Sequence, residues 1–221
     1  MMIRSGGLWA AVVVCGCAGS ALGQIHLTQD TRLISASASA SNAGGTVNSG
    51  PTVKTPAAFG AAFNDSALAN AVRIGASAGA SVTQISEIGS GSITGQGSFS
   101  TSTLVTTGLN ASASVSNVLE LAFRLDGGAT WEMQGSSIEG AGFRLIAPDG
   151  SILLQDLGFA SGVADTSGWY RIIAGGSGTA SQPGDDATFG GAYSFVFTAV
   201  PTPGTVGVMG VMMGILGGRR R

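Results

Sequence analysis

The sequence predicts an all-β protein: an antiparallel β-sandwich or jelly-roll-like body, flanked by an N-terminal signal helix and a C-terminal hydrophobic helix. Three observations predict it. Apolar and polar residues alternate at period two through much of the chain, the spacing of a half-buried strand. Asp-Gly and Gly-Gly pairs interrupt these runs, as tight turns require. Uncharged apolar runs lie at both ends, outside the alternating region. At 221 residues the chain fits one domain plus processing segments. Only 10% of its residues are charged, which excludes a charged disordered chain, and Leu, Glu and Lys are too few for an ordinary helical enzyme.

Residues 1–23 have the three parts of a secretory signal. Arg4 is the basic start, Leu8 to Val14 the short apolar core, and Ala21-Leu22-Gly23 places small residues where a signal peptidase needs them. Cleavage is expected between Gly23 and Gln24. The apolar core is too short for an anchor, since a span needs about 20 apolar residues, and Val14-Cys15-Gly16-Cys17 fits a lipidation site poorly. Both cysteines, Cys15 and Cys17, fall in this segment. The body beyond it therefore has no thiol, which excludes thiol catalysis, cysteine metal sites and disulfides.

The body is expected over residues 24–199. Its first half is low in complexity. Ile34 to Gly45, Ile74 to Ser86 and Gly89 to Thr103 alternate Ala, Gly, Ser and Thr, a pattern open to sheet edges, flat strands or disordered linker; strands are favoured, with a thin buried face and a weakly specified register. Between them, Ala58 to Val72 is ambiguous: Phe59 and Phe63 share a face of either a helix or a strand. The second half is plainer. Leu119, Leu121, Phe123 and Leu125 alternate with Glu120, Ala122 and Arg124, Asp126-Gly127-Gly128 turns the chain, and Trp131 and Met133 resume the alternation, predicting a hairpin. Phe143 to Ala147, Pro148-Asp149-Gly150, then Ile152 and Leu154 predict a second. Trp169 to Ile173 and Tyr193 to Phe197 complete the set. Few helices are expected between the two ends.

Candidate chemistry in the body is sparse. His26 is the only histidine and lies two residues past the expected cleavage, where solvation is the default over a catalytic base. Asp126, Glu132, Glu139, Asp149, Asp156, Asp165, Asp185 and Asp186 are scattered, and most sit in turns whose geometry favours Asp. A glycosidase would need two of them facing across a cleft. Asp185-Asp186 lacks the additional oxygen ligands of a Ca²⁺ loop. Gly89-Ser90-Gly91 and Gly175 to Gly178 are not followed by the helix of a phosphate cradle. No catalytic residue, metal site or cofactor is therefore expected. The body holds six basic and twelve acidic residues, a net charge of −6, which argues against a nucleic-acid partner.

Residues 200–221 form the last unit. Pro201 and Pro203 stop any strand arriving from Phe197. Thr205 to Gly217 carries no charge, and Arg219, Arg220 and Arg221 close it as a basic stop on the cytoplasmic side of a membrane. Thirteen residues rise about 20 Å as a helix, short of a hydrocarbon core of about 30 Å. Counting from Thr198 brings the segment nearer a full span. This order of Pro201-Thr202-Pro203-Gly204, apolar segment and terminal arginines resembles the PEP-CTERM sorting signal, also known as the ice-binding protein C-terminal domain. Thr202 stands where the family's namesake has Glu. The resemblance covers about the last tenth of the chain. It implies export by a Gram-negative bacterium, transient anchoring in the inner membrane, and processing near the prolines by an exosortase-like enzyme.

The function expected is that of an exported, non-catalytic protein of the cell surface or extracellular matrix. Signal peptidase and an exosortase-like enzyme would be its processing partners, and extracellular polysaccharide a candidate ligand. The alternative is a carbohydrate-binding or adhesive sandwich using Trp131, Trp169 and Tyr170. Trp131 and at least one of the other two are expected in the core. Ice binding would need a regular Thr array, for which the Ser and Thr positions look too irregular.

Overall fold

A computed structural model describes residues 24–106, 109–125, 128–165, 168–182 and 187–200. They form twelve strands: β1 (Ile25–Asn42), β2 (Gly45–Lys54), β3 (Phe63–Arg73), β4 (Ala76–Ile88), β5 (Ser92–Val105), β6 (Asn110–Leu125), β7 (Thr130–Glu139), β8 (Gly142–Ile146), β9 (Ile152–Gln155), β10 (Leu157–Val163), β11 (Tyr170–Gln182) and β12 (Ala187–Val200). One sheet has the order β2-β1-β6-β11-β8-β9 and the other β10-β7-β12-β5-β4-β3, every pairing antiparallel. The two sheets stack as a β-sandwich, burying one face of each. No helix occurs among the described residues, and the two expected terminal helices lie outside them.

The Ala/Ser/Gly segments form long strands. Ile34, Ala36, Ala38 and Ala40 of β1 are buried, while Ser35, Ser37 and Ser39 face outward. With Ala111 and Ala113 of β6, Ala67 to Ala71 of β3 and Ala76 to Ala80 of β4, they make a core of mostly single methyl groups. The face is thin, as expected. The register is nevertheless continuous: β1 pairs with β6 from Ile25↔Leu125 to Ser41↔Asn110 with one shift, between Leu27 and Gln29. The larger apolar residues farther along the same strands supply the registration that the alanines lack.

That larger core occupies the opposite half of the sandwich. Phe123 meets Phe197 edge-on at 4.9 Å between ring centroids and stacks on Tyr170 at 5.9 Å. Glycines on neighbouring strands make room for the rings. Phe195 lies between Gly95 and Gly135, Tyr193 beside Gly97, and Trp131 beside Gly162. A Cβ at Gly95 would lie 2.5 Å from the Phe195 ring, and one at Gly97 2.7 Å from Tyr193. Interiors packed at crystal-like density leave no slack for such an atom.

A polar belt separates the two cores. Arg32 is buried and makes a bidentate pair with Asp30, Nε to Oδ1 at 2.7 Å and Nη2 to Oδ2 at 2.6 Å. Its Nη2 also donates to the Ala61 carbonyl (2.7 Å) and its Nη1 to Ser86 Oγ on the facing sheet (3.0 Å), while Asp30 Oδ2 accepts from the Gly60 N–H (2.7 Å). Asn117 donates to the Thr83 carbonyl at 2.9 Å and accepts from the Tyr193 hydroxyl at 3.2 Å. Burial pushes the Tyr193 hydroxyl pKa well above its usual range. These bonds spare Arg32, Asp30, Asn117 and Tyr193 the cost of a stranded polar group, whereas the buried Gln84 side chain of β4 finds no hydrogen-bond partner among the described residues.

Three expectations are corrected. Thr198 to Val200 complete β12, paired with β5 and β7, so the apolar tail segment does not extend back to Thr198. The alternating runs around Asp126-Gly127-Gly128 are not a hairpin: β6 and β7 lie in different sheets. Leu119, Leu121 and Phe123 on one run and Trp131 and Met133 on the other are all buried in the same core. Across the core β6 faces β5 and β7 faces β8, so the two runs fill it from opposite layers rather than side by side in one sheet. Phe59 and Phe63 do not share a face either. Phe63 opens β3 and is buried, whereas Phe59 precedes the strand and is 63% exposed. The second predicted hairpin forms as β8 and β9.

Candidate functional site

The residues singled out from the sequence fall into three groups. Gly23, Pro201, Thr202, Pro203, Gly204, Arg219, Arg220 and Arg221 lie outside the described residues, as do Asp126, Asp185 and Asp186. Gln24 is the first described residue and is exposed. The third group lies within the sandwich, and its members are dispersed.

Trp131 and Tyr170 are in the core, 4% and 2% exposed, with ring centroids 6.0 Å apart. The Asp165 N–H donates to the Tyr170 hydroxyl at 2.9 Å. Trp169, immediately before β11, is 45% exposed, while Tyr170 at the start of the strand turns into the core. Arg124 lies over its indole, 5.3 Å from the centroid. The three aromatics thus form no common exposed platform.

The acidic residues hold backbone corners. Asp149 accepts from the Ser151 hydroxyl (2.6 Å) and N–H (2.9 Å), and these bonds hold its carboxyl below the usual range. Asp156 sits at φ 60° where the chain passes from β9 in one sheet to β10 in the other. Its carboxylate accepts from the Ser137 hydroxyl (3.1 Å) and the Phe143 N–H (3.3 Å), joining the two layers. Glu139 ends β7 at φ 53°. His26 is exposed on β1 opposite Arg124. Among the described residues no three His, Cys, Asp or Glu side chains gather as a metal site would require. Gly175 to Gly178 are part of β11, with Gly176 and Gly178 under the Phe99 and Phe189 rings.

Sequence reasoning missed an ordered hydroxyl surface. Three adjacent strands align Ser39–Ser112–Ser181, Ser37–Ser114–Thr179 and Ser35–Ser116–Ser177 in successive rows on the outer face of the first sheet. Sheet geometry spaces these hydroxyls by roughly 4.8 Å across strands and about 7 Å along them. Ser37 and Ser114 hydroxyls hydrogen-bond at 2.7 Å. A groove of about 430 Å³ runs over the rows, flanked by Asn48 and Ser49 of β2. A second, of about 390 Å³, lies beyond Ser116 and Ser177 toward Arg144, Gln155 and Asp156. The alternation within each strand was legible; the alignment between strands distant in sequence was not. The lattice is serine in eight of its nine positions, with Thr179 the exception.

The other distinctive region is one end of the sandwich. β1 starts there and β12 finishes there. The Ile25 N–H donates to the Ser90 carbonyl at 2.7 Å, and the Ala199 N–H to the adjacent Gly91 carbonyl at 2.8 Å. The body's first and last strands are therefore tied to one loop. Val163 pairs through Thr130 with Val200 in the same end row, 69% and 44% exposed respectively. Trp169 stands at the same end, beside the first residues of β11.

Among the described residues no helix is long and apolar enough to cross a membrane. No protein-family model, no curated protein and no solved structure matches the chain.

Proposed function

We propose that this chain is an exported, non-catalytic protein of the cell surface or extracellular matrix. A signal helix over residues 1–23 would direct it across the inner membrane and be removed between Gly23 and Gln24. The helical segment after Pro201-Thr202-Pro203-Gly204 would then hold it in that membrane, with Arg219 to Arg221 on the cytoplasmic side, until an exosortase-like enzyme cuts near the prolines. The observation that carries this reading is the three-part order of the tail: prolines, thirteen uncharged residues from Thr205 to Gly217, then three arginines. The body is compatible with cargo, since its large aromatics fill the core and its acidic groups brace corners.

Fractionation of producing cells tests it. The complete chain should reach the cell surface or medium. A chain ending at Ala199 should accumulate in the periplasm. Identical distribution of the two would remove the tail's role.

The serine lattice favours a second reading, an adhesive or carbohydrate-binding sandwich. Its groove offers many weak hydroxyl donors and acceptors but no stacked aromatic, so avidity along a repeating polysaccharide would have to supply affinity. A glycan array that gives no signal with the wild type, or the same signal with S37L/S114L, would dismiss this reading.

A further inference from the structure

We propose that the end of the sandwich carrying both chain termini lies against the lipid bilayer while the tail is inserted, with Trp169 as its interfacial contact. This rests on the membrane reading of the tail given above. The orientation follows from chain length. The uncharged segment starts at Thr205, five residues beyond Val200. Fully extended, five residues span at most about 18 Å. The headgroup layer takes about 6 Å of that on each side of the bilayer. Val200 is therefore held close to the membrane surface, and the loop Ser90-Gly91 and the start of β1 are held there with it. The eighteen-residue β1 runs away from this end, about 60 Å at strand rise, so the alanine-lined half is remote from lipid.

The surface at this end suits such a contact. Trp169, Val163 and Val200 are partly or largely exposed there. An indole prefers the interface because its ring is apolar and its N–H is a hydrogen-bond donor, and the Arg124 guanidinium lies over its face. Asp149 and Asp165 occupy turns at the same end, Pro148 packing on Gly168. With Arg124 this end carries both signs of charge, so a zwitterionic bilayer is the partner that fits.

The sequence contains three tryptophans, of which Trp9 lies in the expected signal and Trp131 is buried. This makes Trp169 readable. The full chain carrying Trp9→Phe would be reconstituted into phosphatidylcholine/phosphatidylethanolamine vesicles, with and without lipids brominated at shallow acyl positions. Flotation with the vesicles that is lost in the same chain ending at Ala199 reports tail insertion, since the apolar run Leu8 to Val14 is present in both. Trp169 emission should shift to the blue and be quenched by the brominated lipid. A second variant that also carries Trp169→Phe should float equally well and show unquenched Trp131 emission. Flotation with unchanged Trp169 emission would overturn the orientation while leaving tail insertion intact. Failure to float would overturn the membrane reading itself, and this inference with it.

Discussion

Gly95→Ala tests whether inward glycines build the aromatic core by making space. The new Cβ would lie 2.5 Å from Cε1 and Cζ of Phe195 and 3.2 Å from Leu119 Cδ1. Carbon contacts prefer about 3.5–4.0 Å, so the ring must move by about 1 Å or more. Phe195 is 2% exposed, Leu119 is fully buried, and Tyr193 and Phe143 stack on the ring from 6.4 and 6.5 Å. It has nowhere to go without disturbing them. Overpacking of this kind costs about 1–3 kcal/mol, and replacing a strand glycine returns about 0.5–1 kcal/mol of backbone entropy. A net loss of about 1–2 kcal/mol is expected, or a fall in Tm of about 2–8 °C for a body of this size. Chemical and thermal denaturation would measure it. The decisive comparison adds Phe195→Leu: a smaller side chain should accept the new methyl, so the double variant should be less destabilised than the summed singles. A stability unchanged by Gly95→Ala, or penalties that add to within about 0.5 kcal/mol, would refute the reasoning.

Asp30→Ala should destabilise the fold by about 3–5 kcal/mol, read from denaturant unfolding, because it strands the buried Arg32 guanidinium. Tyr193→Phe should cost about 1–2 kcal/mol in the same assay by leaving Asn117 Oδ1 without its donor. Ser151→Ala should raise the Asp149 carboxyl pKa toward its ordinary value, followed by NMR titration. The sign is fixed by the depressed folded value: the Asp149–Ser151 contact stabilises the fold above the ordinary carboxylate pKa and loses that effect as pH falls through the folded one. The variant should therefore lose less stability than wild type over that acidic interval, and an unshifted Asp149 titration would contradict this.

Strands were legible wherever large side chains alternate. Leu119 to Leu125 and Tyr193 to Phe197 announce both their conformation and their buried face, because period two has one physical meaning in a sandwich. Which strands pair was far less legible. The turn at Asp126 to Gly128 reads as a hairpin, yet a short glycine-rich connection serves equally to arch between layers, and the choice depends on partners far away in the chain. The glycines show the same limit. Gly95, Gly97 and Gly135 look like low-complexity filler until register places Phe195 and Tyr193 beside them. Arg32 looks like surface charge, because nothing nearby in sequence reveals that Ser86 and Ala61 will surround it. The serine lattice is legible strand by strand as alternation, but its rows exist only once β1, β6 and β11 lie side by side.

Intact-mass measurement of the protein recovered from its producing cells tests the export account most directly. The account predicts a chain that begins at Gln24 and has lost the arginine-terminated segment near Pro201 to Pro203. A cytosolic species running uncut from Met1 to Arg221 would contradict it.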